Sequence, residues 1–203
     1  GGTAVLSYLL AAQLDSAGHA RSETWNASVV YRRQDVAWRI VSCHWSPVKG
    51  QGPAPEAKAD LERRWQLSPA LTAPPPDATP IAEDDTVAAA VVARERGCLV
   101  RWGRGDPLGF VEAATPQITY FEPGADRRVD GRAAFTALME SIRGQVNQDW
   151  HRFLNPRVQV CDDVAVLTFN YVSRSTRQSG PFLSWWNCTE VYLRIRSEDG
   201  SER

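Results

Sequence analysis

Glu190 sits in Trp186-Asn187-Cys188-Thr189-Glu190-Val191-Tyr192, an acid inside an apolar stretch. Read as a strand, the stretch places Trp186, Cys188, Glu190 and Tyr192 on one face. An acid among such walls has a raised pKa and could give or take a proton, which makes Glu190 the candidate catalytic residue. The competing reading is an exposed acid on a sheet face, paired with an Arg across the strand. His44 lies in a second alternating stretch and reads either as catalytic or as a hydrogen-bonded structural histidine. His19 and His151 lie near a turn and a strand start, with nothing beside them to form a relay. Asp106, just before Pro107, and Asp130 read as helix caps. Cys43, Cys98, Cys161 and Cys188 form no C-x-x-C pair and are expected to be buried free thiols. No pair of His with an acid falls at metal-ligand spacing, so neither a metal nor a cofactor is expected.

The composition suits a packed chain, with 43% hydrophobic residues and eight Trp. A net charge of −1 gives no chain-wide pull toward nucleic acid or an anionic membrane. Arg127, Arg128, Arg132, Arg143, Arg152 and Arg157 are spread over several elements and read as solvated surface. The apolar run Ala88 to Ala93 is far too short for a bilayer. Nothing marks the chain for export, so a cytoplasmic location is expected. Lys occurs only at Lys49 and Lys58, and abundant Arg, Ala and Pro suggest a GC-rich, bacterial coding sequence.

The elements that must position these residues are tied together by a repeat. Thr3-Ala4-Val5-Leu6-Ser7-Tyr8 answers to Val164-Ala165-Val166-Leu167-Thr168-Phe169, and Trp25-Asn26 through Arg33 answers to Trp186-Asn187 through Arg194. Both matches hold one offset of 161 residues, which points to tandem copies of one unit. Residues 1–46 then hold the C-terminal strands of a first copy: Thr3 to Gln13, Thr24 to Arg33 and Ala37 to Trp45, with turns at Asp15 to Gly18 and at Gln34-Asp35. Residues 47–84 carry eight of the thirteen prolines and read as a semi-rigid linker, with a short helix possible at Ala57 to Leu67. Residues 85–203 form the second copy. It opens with a helix whose stripe runs Val87, Val91, Cys98, Trp102, flanked by Ala88, Val92 and Leu99. A short helix follows at Leu108 to Ala114, then strands Gln117 to Glu122 and Arg127 to Val129 around a turn at Pro123 to Asp126. A helix capped by Asp130 comes next, with Ala134, Phe135, Leu138, Met139 and Ile142 apolar. Strands Arg152 to Cys161, Val164 to Arg174 and Phe182 to Arg196 close the order. Asn155-Pro156 should interrupt the first of these with a bulge. The fold class is α+β: a strongly bent, mostly antiparallel sheet wrapped around three helices, with a second partial copy.

Tyr120-Phe121-Glu122-Pro123, Val129-Asp130-Gly131, Leu154-Asn155-Pro156-Arg157-Val158 and Asp163 through Leu167 occur in that order. Trp186 through Tyr192 completes the second copy, and Trp38-Arg39-Ile40-Val41-Ser42-Cys43-His44-Trp45-Ser46 supplies the closing strand of the first. Together these resemble the SnoaL-like, or nuclear transport factor two-like, cone-fold superfamily. The nearest branch resembles the association (hub) domain of calcium/calmodulin-dependent protein kinase II and its bacterial relatives. The resemblance implies a cone, self-association through the sheet face, and a pocket for a small molecule. It does not imply kinase activity, since the chain has no Gly-rich phosphate loop and no H-R-D or D-F-G signature.

By that likeness the pocket residues are Trp102, Tyr120, Phe135, Trp186 and Tyr192, with Trp25, Tyr31 and His44 in the first copy. The hub pocket's helix His corresponds to Phe135 here, and its strand Arg to Glu190, so the expected ligand is apolar or neutral rather than anionic. Two function classes stand open. One is a non-catalytic, self-associating domain with a ligand pocket, partnered by its tandem copy or a homodimer mate and not by nucleic acid or membrane. The other is a cofactor-free isomerase, cyclase or dehydratase using a pocket carboxylate. By the repeat, a strand like 36–46 should follow the last strand. Either the chain is a window cut from a longer array, or its two partial copies complete each other.

Overall fold

The computed structural model describes residues 2–16, 19–48, 86–122, 127–178 and 180–195. The linker at 49–84 and its possible helix at Ala57 to Leu67 lie outside the described residues, as does the turn Pro123 to Asp126. The first sheet is an antiparallel meander of β1 (Thr3–Ser16), β2 (His19–Gln34) and β3 (Ala37–Pro47). Its tight turn is Asp35-Val36, one residue later than the sequence suggested, because Gln34 already pairs with Ala37. Asp35 supplies the required left-handed conformation, at φ 55°.

The helices follow as α1 (Thr86–Gly103), α2 (Leu108–Ala113) and α3 (Arg132–Ser141), with the two-residue strands β4 (Thr119–Tyr120) and β5 (Val129–Asp130) between α2 and α3. Asp106 caps α2 as expected: its Oδ1 accepts the Leu108 N–H at 3.1 Å. Asp130 does not cap α3. The cap position is Gly131, whose φ of 82° and ψ of 154° favour glycine. The carboxylate of Asp130 instead pairs with Arg128 at 2.6 Å.

The second sheet is β6 (Trp150–Cys161), β7 (Val164–Arg177) and β8 (Gly180–Leu193), antiparallel in that order. The register between β6 and β7 jumps between Leu154 and Arg157, and Asn155 takes φ 52°, so Asn155-Pro156 forms a bulge. The β1–β2 and β7–β8 hairpins pair identically once 161 is added to each position. Val5 opposes Val30 as Val166 opposes Val191, and Ser7 opposes Ser28 as Thr168 opposes Thr189.

The main core joins α1 to the inner face of this second sheet, where Val92 and Leu99 meet Phe153, Leu167, Phe169 and Tyr171. Each such buried side chain contributes about 1.5–3 kcal/mol. A second cluster joins α2 and α3 through Val111, Phe135 and Met139. The face turned away from the helices is covered too: Val166 is 0% and Val172 2% exposed. The first sheet lies on that side. Thr3 Oγ1 donates to the Cys161 carbonyl at 3.3 Å, and His44 Nδ1 sits 2.9 Å from Thr189 Oγ1. Among the described residues the architecture is α+β, three helices with antiparallel sheet.

Candidate functional site

Strand alternation brings Cys188, Glu190 and Tyr192 to the inner face of β8, opposite Phe169, Leu167 and Ala165 of β7. The side chain they meet is Glu95, in the middle of α1. Residues Ala88, Val92, Glu95 and Leu99 all fall on the buried side of that helix. Glu95 is only 2% exposed, and Tyr192 Oη donates to its Oε2 at 2.5 Å. That hydrogen bond is short.

Glu95 is therefore a buried acid beside a half-buried one, Glu190. Burial pushes the Glu190 carboxyl up to about 8, with the charge of Glu95 adding to the effect. Burial likewise raises Glu95, while the Tyr192 hydroxyl works the other way. The surroundings respond in kind. Cys98 is pushed up to about 11 by burial and by Glu95, and Cys188 is raised by burial, Glu190 and Glu95. Tyr120 is raised by burial and then by Glu190, and Tyr192 by burial and Glu95. A carboxyl pushed up to about 8 can donate a hydrogen bond or exchange a proton near neutral pH.

Of the expected pocket residues, Trp102, Tyr120 and Phe135 come together, in the cluster of α2 and α3. Tyr120 and Phe135 stand 5.2 Å apart edge to face, and Trp102 meets Phe110 at 6.1 Å. Tyr192 belongs to the other cluster, and Trp186 is 43% exposed. An open depression of about 150 Å³ lies elsewhere, between α1 and β6, lined by Arg96, Leu99, Val100, His151 and Phe153.

In the first sheet, Trp25 and Tyr31 share a face with Ala27 and Trp45, but His44 points to the opposite face, toward Thr189. His44 is thus a contact between sheets and not a pocket partner of Trp25 and Tyr31. Cys98 and Cys161 are buried free thiols, Cys188 is half-buried, and Cys43 is exposed, contrary to expectation, because it lies on a face of β3 open to solvent. Among the described residues, no group of three His, Cys, Asp or Glu side chains could hold a metal ion. No helix among them is long and apolar enough to cross a membrane.

Glu95 was the buried acid that the sequence pattern hid. Its signal was an acid occupying one step of an otherwise apolar helical stripe, and that acid shifted the apparent stripe onto Val87, Val91, Cys98 and Trp102.

No protein-family model matches the chain, and no curated protein does. Among solved structures, the chain is similar to ketosteroid isomerase-like proteins and to CaMKII hub domains. A candidate ketosteroid isomerase from Parabacteroides distasonis shares 25% identity at a TM-score of 0.48, over 63% of this chain and 89% of that one. The CaMKII hub of S. rosetta shares 21% at 0.45, over 58% and 87%. A ketosteroid isomerase-like protein from Erwinia carotovora atroseptica shares 18% at 0.44, over 59% and 91%.

Proposed function

We propose that residues 86–195 form a small-molecule-binding domain whose ligand is neutral or cationic and hydrogen-bonds to the Glu95–Glu190 pair. One observation carries this reading: an acid 2% exposed in the core, held by Tyr192 and lying near enough to Glu190 of the facing strand for its charge to push that carboxyl up. A core gains nothing in stability from such a pair, whose burial costs more than an apolar replacement would. An anion would meet repulsion, whereas a carbonyl, hydroxyl or amine meets a donor and an acceptor. Residues 3–48 are, in this reading, a partial second copy of the same unit, held on the outer sheet face as a self-association partner would be. The matching hairpin registers and the His44–Thr189 contact support it.

The test is a thermal-shift series with small neutral, cationic and anionic compounds at pH 6. Neutral or cationic compounds should raise Tm for the native chain and lose that effect in Glu190→Gln. Stabilisation by carboxylates alone would sink the proposal.

The same geometry favours a second reading, proton transfer. Glu95 is a base positioned by Tyr192 and Glu190 an acid kept neutral near pH 7, which is the division of labour an isomerase or dehydratase needs. Deuterium exchange next to the carbonyl of a simple cyclic ketone reads this directly. Exchange abolished by Glu95→Gln supports catalysis, and exchange equal to buffer rejects it.

A further inference from the structure

The meeting of α1 and β6 makes a feature that the acid pair does not use. On α1, Leu99 and Val100 follow Arg96 at helical spacing and share its side of the helix. On β6, His151 and Phe153 alternate onto the face turned toward α1. These side chains line the open depression of about 150 Å³. A cavity of roughly that size holds a single benzene-sized ring.

One wall carries a charge with donors to spare. The Arg96 guanidinium lies over the Phe153 ring, 5.4 Å from its centroid, and Phe153 packs in turn on Phe169 at 4.5 Å. Such a contact engages the face of the ring and leaves the guanidinium its N–H donors. Farther along the same helix, Arg101 meets Asp106 at 2.7 Å and Glu112 at 2.6 Å. Arg96 forms no such ion pair among the described residues.

The opposite wall is already in place. His151 stacks on Tyr171 at 5.6 Å, with 28° between the rings. Tyr171 Oη donates to Gln148 Oε1 at 2.6 Å, and the Gln148 N–H donates to the Gly103 carbonyl at 2.9 Å. Gly103 makes room for both side chains: a Cβ there would stand 2.7 Å from Gln148 Oε1 and 3.3 Å from His151 Nδ1. The His151 ring is thus held between β7 and the end of α1, and a wall ordered in advance lowers the cost of binding.

We propose that this depression is a binding site for a small carboxylate carried on a flat, ring-sized apolar body. The carboxylate takes paired N–H bonds from Arg96, and the ring lies against Leu99, Val100 and His151. A neutral ring leaves the guanidinium unmet, and a small inorganic anion gains nothing from the apolar walls. The proposal does not rest on the acid pair. Its signals belong on Arg96, Val100 and His151, whereas a ligand of the acid pair would shift Tyr192 and Cys188, so the two readings fail separately.

The experiment titrates benzoate into the 203-residue chain at neutral pH and follows it by NMR, with benzamide as the uncharged control and acetate as the control without a ring. Benzoate should give saturable shifts at the Arg96 Nε–H, the Val100 methyls and the His151 ring. Benzamide and acetate should each bind about tenfold more weakly or worse, since one lacks the charge and the other the apolar area. Arg96→Gln, checked for native near-UV circular dichroism, should weaken benzoate by a similar factor. The comparison of the three compounds on the native chain stands even if that variant misfolds. Benzamide or acetate binding as well as benzoate, unchanged affinity in folded Arg96→Gln, shifts confined to Tyr192 and Cys188, or no saturation at millimolar benzoate would each overturn the proposal.

Discussion

At the scale of single residues, Glu190 couples the fold to pH with a sign opposite to that of a salt-bridged acid. Its folded pKa, about 8, lies above its ordinary 4.5, so between those values the folded chain holds more protons than the unfolded one. Stability present at pH 4.5 is therefore lost as pH rises toward 8, by up to about 1.4 kcal/mol per pH unit for each proton held. Glu190→Gln should flatten that slope, and urea unfolding at pH 5, 7 and 9 measures it. An unchanged slope would place Glu190 in water. His44 works in the other direction. Burial lowers its pKa, so the unfolded chain takes up a proton first as pH falls below 6.5, and stability declines there. His44→Gln, which can still meet Thr189, should remove this acid-side loss in the same titration. Glu190 was legible because strand alternation reads directly from sequence. Glu95 was not, because a polar residue on a buried helix face looks like a solvent-facing position until the neighbouring sheet is known.

Elements show the same division between local and tertiary signals. The bulge at Asn155-Pro156 and the cap of Asp106 on α2 were readable, since proline's missing donor and a cap oxygen act within a few residues. The cap of α3 was misread, because Asp130 had a cation, Arg128, within reach and Gly131 could take the positive φ instead. The rotation of α1 was misread for the reason Glu95 was hidden. It follows from packing that Leu167, 0% exposed between α1 and the sheet, is central to the core: Leu167→Ala should cost about 2–5 kcal/mol in chemical denaturation. Leu6, its counterpart in the first sheet, is 48% exposed, and Leu6→Ala should cost well under half as much. Similar losses at both sites would mean that the first sheet is covered as thoroughly as the second.

For the whole molecule, the question is what holds the two sheets together. The alternation of β7 placed Val166, Thr168, Asn170 and Val172 on the side away from the helices, and a sheet apolar on both faces needs a second cover. Val166 and Val172 are covered, and Val30 of the first sheet is covered with them, at 1% exposure. Two hydrogen bonds that cross between the sheets are peripheral to this burial: Thr3 to the Cys161 carbonyl at the end of β6, and His44 to Thr189 on β8. Net hydrogen bonds contribute about 1 kcal/mol each, less than the apolar area they border. Apolar contact should thus dominate, and the two kinds of variant separate it from the polar contacts. Val166→Lys buries an unpaired ammonium and should cost about 3 kcal/mol, either unfolding the chain or detaching the first sheet. Thr189→Val removes the oxygen that meets His44 at nearly constant volume and should cost about 1 kcal/mol or less. Chemical denaturation ranks the two, and limited proteolysis within residues 3–47 distinguishes detachment from global unfolding. If Thr189→Val proves the more damaging, the sheets are joined by their polar contacts, and the covered valines are a consequence of the packing rather than its cause.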